Sequence, residues 1–547
     1  MFTDPVVGIN FVDRSHFLNI LAKRAHALEE GYRQNIALLG PEAIGKTSLI
    51  FQFLSKLQES SKSILPIYLE ITNSIPFDHL AKRFVALTIF NFLKMRGVTS
   101  PENLDILLEN ARDLIPETTE EAKKCLSYLK NSSIDNAYST MLDLPQALSQ
   151  ETKTPVIVIL EEFHKLNRLS LNNPFGILAK KIMVSKNVMH IISSSSVSHA
   201  SKILSHDLTL LFGNFETLTL EPFDIKTSES FIEKKVAPVK CSSYYKQFII
   251  EITNGQPLYL NIVASEIKSI AMERKLSFVN DAVIIESISG VLFNSEGILN
   301  QIFNYRMNQL PTNRSPISYT SILLALGHNC LKSKQIKEYL NTGSEKEFLN
   351  HLNALLELDY IHKNGVFYYL YDELFRIWVT DVYENKKSSL EIETNIMGER
   401  FRRLMRDRLN SFLKNKQRSA LERLKNLFLT FGNETVYLNS RRISLPTFNN
   451  IEIRNQQTST PLIICGTKSR PWLFAVRKDH ICDTAMEEII SNCRKLKHKY
   501  TRKIVIALDG IDENARLMAK EEKFITLELS DLNNIFRLFG KNKIFSE

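Results

Sequence analysis

Cysteine is scarce and dispersed in this 547-residue chain. Six thiols, at positions 125, 241, 330, 465, 482 and 493, form no Cys-x-x-Cys pair and, with the histidines, no metal-ligand pattern. That excludes a disulfide framework and a zinc cluster and fits reduced, mostly buried thiols in a cytoplasmic protein. Long apolar runs are missing too. Nowhere do about 18 apolar residues follow one another, and the opening MFTDPVVGINFVDR lacks the basic and apolar regions of a secretory leader. A membrane is therefore not an expected partner. Nor does one charge sign dominate: 69 Lys and Arg stand against 60 Asp and Glu, and the net charge of +9 permits nucleic acid or an acidic surface as partner without requiring either. What is present is ordinary globular composition, 44% hydrophobic and 24% charged. This length suffices for about three or four domains with their own cores.

The stretch that organises the rest is Asn35 to Leu54, NIALLGPEAIGKTSLIFQFL. Ile36 to Leu39 predicts a buried strand and Ser48 to Leu57 an amphipathic helix. Between them lies Gly40-Pro41-Glu42-Ala43-Ile44-Gly45-Lys46-Thr47, a phosphate-loop pattern in the strand-to-helix context it needs. The glycines let backbone amides converge on a polyphosphate, Lys46 can reach the β- and γ-phosphates, and Thr47 at the helix N-terminus is placed to ligand Mg²⁺. Nucleotide binding is the expectation; a chance glycine-rich turn is the alternative.

Around this loop the chain supplies further pieces. Phe11-Val12-Asp13-Arg14 precedes a helical pattern from Phe17 to Leu28, which would pack beside the base. Ile64 to Ile71 predicts a second buried strand, followed by helical patterns over 76–94 and 118–130. Pro155 to Leu160 predicts a core strand that ends in Glu161-Glu162. There Glu161 can hold the Mg²⁺ shell and Glu162 can orient or deprotonate the attacking water, against a plainer reading in which both only face solvent. Val188 to Ile192 predicts a strand delivering Ser193 to Ser196 to the same edge. Ser195 is the candidate for sensing the γ-phosphate or its water, with a ligand-free serine loop as the alternative.

The succession FVDR (11–14), GPEAIGKT (40–47), VIVILEEFHKL (156–166), HIISSSS (190–196), LFGNFETLTLEPF (211–223) and NGQPLYL (254–260) resembles the archaeal-type ATPase family, a branch of the STAND and AAA-related P-loop NTPases. The resemblance spans about residues 8–385. It implies ATP or ADP with Mg²⁺ as cofactors, the adenine lying between the box that ends in Arg14 and the Gly255 to Pro257 motif. It also implies Lys46 and Glu162 as catalytic residues, residues 40–48 including Ser48 around the phosphates, and Thr47 with Glu161 around the metal. Two departures stand out. Glu161 replaces the family's usual aspartate and lengthens the metal-side arm by a methylene. Gly213-Asn214 replaces the usual Gly-Arg and removes a cation from the transferring phosphate, so hydrolysis is expected to be slow.

Residues 225–310 read as helices, among them 228–236, 244–253 and 258–274, which in the resembling family form a lid over the nucleotide. Helical patterns over 319–326, 333–340 and 345–358, then a hairpin turning at Asn364-Gly365, read as a winged helix closed by residues 371–378. Its third helix carries Glu345, Glu347 and Glu357 against Lys346 and His351, so it suits packing or protein contact at least as well as DNA. Residues 386–393 read as a linker. From Gly398 to Lys425 a helical stretch holds ten Lys or Arg against three acids, which reads equally as a solvated face or a phosphate-contacting surface.

Strand-like runs at 461–465, 472–476 and 503–508, with a helix over 483–498, resemble the restriction-endonuclease-like domain appended to some members of that family. The metal-binding carboxylates and lysine of such nucleases are absent at Gly398-Glu399-Arg400-Phe401-Arg402, at Ile463 and at Ala475-Val476-Arg477, so DNA cleavage is not expected. The expected architecture is thus α/β: a P-loop ATPase core (1–224), a helical lid (225–312), a winged helix (313–385) and a C-terminal α/β restriction-endonuclease-like domain (386–547). The expected function is an ATP-binding, slowly hydrolysing regulatory switch. The alternative is a DNA-binding defence or regulatory effector acting through the basic C-terminal half. Double-stranded DNA, other proteins and a homo-oligomer supplying an arginine remain open as partners.

Overall fold

The computed structural model describes residues 4–545, apart from residue 62 and segments 73–74, 209–212, 312–316, 342–343, 389–393, 439–440, 467–470 and 497–498. The chain divides into two compact units. The first is Met1–Phe223 with Gln256–Leu258 and Glu357–Asp359; the second is Asp224–Gly255, Tyr259–Leu356 and Tyr360–Glu547.

In the first unit five parallel strands, β1 (Asn35–Leu39), β2 (Leu65–Glu70), β3 (Val156–Glu161), β4 (Val188–Ser194) and β5 (Phe215–Thr219), form one sheet in the order β2-β3-β4-β1-β5. Side chains alternate across a strand, so both faces of such a sheet need a cover. Ile36, Leu38, Ile157, Ile159 and Ile191 pack under the helices Ser15–Glu29 and Lys46–Ser60. Ala37, Leu39, Val158, Leu160 and Ile192 pack under Phe77–Met95, Ile134–Thr152 and Pro174–Val184. Each of these buried Val, Leu and Ile side chains contributes roughly 1.5–3 kcal/mol relative to exposure. The strands and helices expected around the phosphate loop are present, and the loop helix starts two residues earlier than expected, at Lys46. The helices Leu104–Ala111 and Ile134–Thr152 were not expected. Leu211 and Phe212 of the quoted motif lie outside the described residues.

In the second unit the helices Ile225–Val236 and Ser243–Thr253, most of Pro257–Glu273, and then Asp281–Leu292 and Ile298–Asn308 come first. Helices Tyr319–Gly327, Ser333–Leu340 and Glu345–Glu357 follow, then a hairpin of β6 (His362–Asn364) and β7 (Phe367–Tyr369). Asn364 pairs with Phe367, so the turn residues are Gly365-Val366, one position beyond the expected Asn364-Gly365. Gly365 has φ +60°, which a two-residue hairpin turn needs at its first central position. A second hairpin, β8 (Glu434–Leu438) with β9 (Arg441–Leu445), was not expected and lies along this turn. The Val366 amide donates to the Thr435 carbonyl at 3.2 Å, the Tyr437 amide donates to Asn364 Oδ1 at 2.6 Å, and Lys332 pairs with Glu434 at 2.6 Å.

The stretch 398–425 is two helices, Thr394–Lys416 and Ala420–Phe428, separated where Ser419 caps the second by accepting from the Glu422 amide. The expected linker is helical over its first residues, in Glu384–Ser388, and its remainder, 389–393, lies outside the described residues. The last sheet has five strands where three were expected. They are β10 (Asn450–Arg454), β11 (Leu462–Gly466), β12 (Trp472–Arg477), β13 (Arg502–Ala507) and β14 (Phe524–Glu528), in sequence order. The first two pairings are antiparallel and the last two parallel. Helix Asp483–Arg494 covers one face; residues 497–498 of the longer helix expected there lie outside the described residues.

Candidate functional site

The phosphate loop leaves β1 under two backbone constraints. A Cβ on Gly40 would sit 2.9 Å from the Leu220 carbonyl oxygen, so only glycine lets the loop pass the end of β5. Gly45 has φ +94° and Ala43 φ +65°, left-handed conformations that turn the chain back into the helix at Lys46. Ile44 is buried and anchors the loop, while Glu42 is exposed and Pro41 half-buried. The buried Lys46 ammonium donates to the Gly40 carbonyl at 2.8 Å and the Pro41 carbonyl at 3.1 Å. Burial pulls its pKa down, against the charges of Glu162 and Glu161.

Parallel register carries the acids to the same edge: Glu70, Glu161 and Ser193 are level on β2, β3 and β4, and Ser194 is level with Leu39, the residue before the loop. The Thr47 hydroxyl donates to Glu161 Oε1 at 2.6 Å, and the Tyr68 hydroxyl on β2 donates to the other carboxylate oxygen. Burial raises the Glu161 pKa above the ordinary carboxylate range, opposed by those two hydrogen bonds.

Glu162 lies one residue past the strand in a left-handed conformation, φ +59°. Its carboxylate accepts from the Ser195 hydroxyl at 2.6 Å and the Ser195 amide at 3.3 Å, with Lys46 at 4.0 Å and Lys165 at 3.9 Å. Burial alone would raise its pKa, but the Lys46 and Lys165 cations and the Ser195 hydroxyl outweigh burial and hold the carboxyl below the ordinary range. His164 is pushed down to about 4 by burial, so a neutral ring shares a 2.8 Å hydrogen bond with Ser194.

Lys46, Thr47, Glu161, Glu162 and Ser195 are thus one cluster. The other expected residues have different surroundings. Ser48 Oγ takes the Val6 amide at 3.0 Å. The Arg14 guanidinium donates to the Glu221 carbonyl and lies over the Phe223 ring at 5.1 Å, against the segment after β5. Pro257 opens a helix whose next residue, Leu258, donates its amide to the Ala43 carbonyl at 3.4 Å, so it adjoins the loop. Tyr68, His164 and Lys165 were missed by the sequence reading. A tyrosine in an apolar strand run is an ordinary core residue until register sets it beside Glu161.

A hard divalent cation prefers oxygen ligands. The adjoining Thr47 hydroxyl and Glu161 carboxylate form such a donor pair. Level with Glu161, the buried Ser193 hydroxyl finds no hydrogen-bond partner among the described residues. The residues present therefore fit Mg²⁺.

Residues 11–263 match the family described as an ATPase domain predominantly from Archaea. Over that span the chain is similar to archaeal-type P-loop ATPase domains. Among solved structures, a Walker-type ATPase of Pyrococcus abyssi aligns at 18% identity over 69% of this chain and 99% of its own, with a TM-score of 0.47. The ORC2 protein of Aeropyrum pernix aligns at 11% identity over 71% and 98%, TM-score 0.44. The ORC1 protein of the same organism, in complex with DNA, aligns at 13% over 69% and 93%, TM-score 0.39. No curated protein matches the chain. Among the described residues, no helix is long and apolar enough to cross a membrane.

Proposed function

We propose that the protein binds ATP with Mg²⁺ and hydrolyses it slowly, as a regulatory switch. The observation that carries this reading is the cluster in which Lys46, Thr47, Glu161 and Glu162 converge. The loop amides and the Lys46 ammonium, turned from the Gly40 and Pro41 carbonyls, hold the β- and γ-phosphates. Thr47 and Glu161 hold Mg²⁺, which when bound neutralises charge on the phosphate oxygens. Glu162, kept ionised by its cationic neighbours, accepts the proton of a water. That water's oxygen bonds to the γ-phosphorus as the bond to the ADP oxygen breaks. Asn214 supplies no cation for the developing charge, which supports slow turnover unless a second copy lends an arginine.

Thermal denaturation with and without Mg-ATP tests the binding step. ATP should raise the midpoint of the wild type and leave Lys46→Ala unmoved; equal shifts in both would end the proposal.

The second reading, DNA contact through the basic half, is favoured by Arg402, Arg403 and Arg406, all exposed on helix Thr394–Lys416. Arg408 does not belong to that stripe, because it is held by Asp381 at 2.9 Å. In this reading the residues 319–378 are a winged helix whose turn, lying along the hairpin β8–β9, acts as a scaffold, and the arginine stripe touches phosphates. Charge reversal at Arg402, Arg403 and Arg406 should abolish salt-sensitive duplex binding. Retention of that binding would leave protein partners.

A further inference from the structure

A cavity of about 260 Å³ lies in the second unit, just past the C-terminal ends of the parallel strands β12 and β13. In open α/β sheets this edge is where ligands settle, because the connections diverge there. Its wall holds five full cations, Lys416, Arg418, Arg423, Lys478 and Lys543, against two carboxylates, Asp479 and Asp509. Asp509 is engaged by Lys226 at 3.1 Å. His480, also in the wall, is engaged by the Asp512 carboxylate at 2.8 Å.

Four of these cations donate hydrogen bonds to neutral oxygens. Arg423 donates to the Asn542 and Lys543 carbonyls at 2.6 and 2.7 Å. The Lys543 ammonium donates to Asn254 Oδ1, the Lys416 ammonium to Gln247 Oε1, and Arg418 to Asn415 Oδ1 at 3.5 Å. Such bonds satisfy donors without cancelling charge. Glu251, on helix Ser243–Thr253, accepts from the Lys543 backbone amide at 3.2 Å, and its charge, with that of Glu373, acts against burial at the Lys543 ammonium. Burial nevertheless brings the Lys543 ammonium down to about 8 and holds Arg423 below its ordinary range. A buried cation that lacks a full counter-charge is costly, and an oxyanion would relieve it.

We propose that this cavity binds a small phosphate, as inorganic phosphate or a phosphate monoester. The volume lies below the roughly 300–1,000 Å³ of sites for drug-sized ligands, which favours something no larger than a sugar phosphate. The site is separate from the phosphate loop and does not depend on the nucleotide reading.

The test uses the full chain carrying Lys46→Ala, so that differences report on this cavity rather than on the phosphate loop. Calorimetric titration and thermal shift are run with inorganic phosphate, ribose 5-phosphate and a short DNA duplex, each against sodium chloride of matched ionic strength. Phosphate, ribose 5-phosphate or both should bind and raise the melting midpoint above the chloride control. Adding Arg418→Ala with Lys478→Ala, both exposed and so tolerated by the fold, should weaken that binding at least about tenfold. Binding of inorganic phosphate alone or of the ester as well separates the two sources. No binding of either, affinity unchanged in the double variant, or binding of the duplex alone overturns the proposal.

Discussion

Two sheets of five strands end in opposite chemistries. At the C-terminal edge of the first, the strands deliver Glu161 and the serines 193–195, and the loop between β1 and its helix adds one lysine and one hydroxyl. At the corresponding edge of the second, Lys478 to His480 and Leu508-Asp509 meet Arg418, Arg423 and Lys543, and cations prevail. Both edges lie at the C-terminal ends of parallel strands. What separates them is the ligand set: acids with hydroxyls suit a metal and a proton transfer, while an excess of lysine and arginine suits holding an anion. Architecture supplies the place, and a few residues at strand ends decide what happens there.

The sharpest way to break this contrast is Glu162→Gln. If the first edge does chemistry, phosphate release should fall about 10²–10⁴-fold while ATP affinity is kept. Turnover that survives would reduce the first edge to a binding surface like the second. Next in size is Tyr68→Phe, which removes the hydroxyl holding one oxygen of Glu161. The Mg²⁺ concentration giving half-maximal turnover should rise about 10–100-fold, with kcat recovering at saturating Mg²⁺. An unchanged Mg²⁺ dependence would make Tyr68 simply a packing residue against Phe51.

A third comparison sets glycine against glycine. Gly365 and Gly97 both have positive φ, but a Cβ on Gly365 would lie 1.7 Å from the Thr435 carbonyl oxygen while one on Gly97 meets nothing within 4 Å. Gly97→Ala should cost about 1–2 kcal/mol from backbone strain alone. Gly365→Ala should cost more, since the hairpins must part. Equal urea midpoints would show that the β8–β9 contact carries no weight.

The smallest effect is the pH profile. Because cations hold Glu162 below the ordinary carboxylate range, its base form persists as pH falls, and activity should be lost only below about pH 4.3, the ordinary glutamate value. The stability it contributes follows the same sign, present above the unfolded pKa and lost as pH falls through the folded one. His164, already neutral above about 4, should add no inflection near pH 6.5. An inflection there that vanishes in His164→Ala would contradict the buried, neutral ring.

The phosphate loop, the acid-ending strand and the serine strand were legible because each is a mostly apolar run with its chemistry at one end, Ile36–Leu39, Val156–Leu160 and Val188–Ile192. Strand order was not, since nothing in a strand's own residues names its neighbour; Tyr68 beside Glu161 follows from register alone. Helix Ile134–Thr152 was hidden by Pro145 in its interior. The hairpin β8–β9 was hidden because Arg441, Arg442 and Ser444 break any apolar run. The cationic cavity was half visible, as a basic helical stretch, but its other half arrives from Lys478 and from Lys543, far along the chain.

The position of β4 between β1 and β3 works as a ruler. Strands in a sheet lie about 4.8 Å apart, so one inserted strand sets the loop strand and the acid strand roughly 10 Å apart. That gap is bridged from one side by Thr47 reaching Glu161 and from the middle by Ser195 reaching Glu162. Because Ser193 to Ser196 are four serines in a row, a slip of β4 by one residue in either direction still leaves a hydroxyl at the centre of that gap.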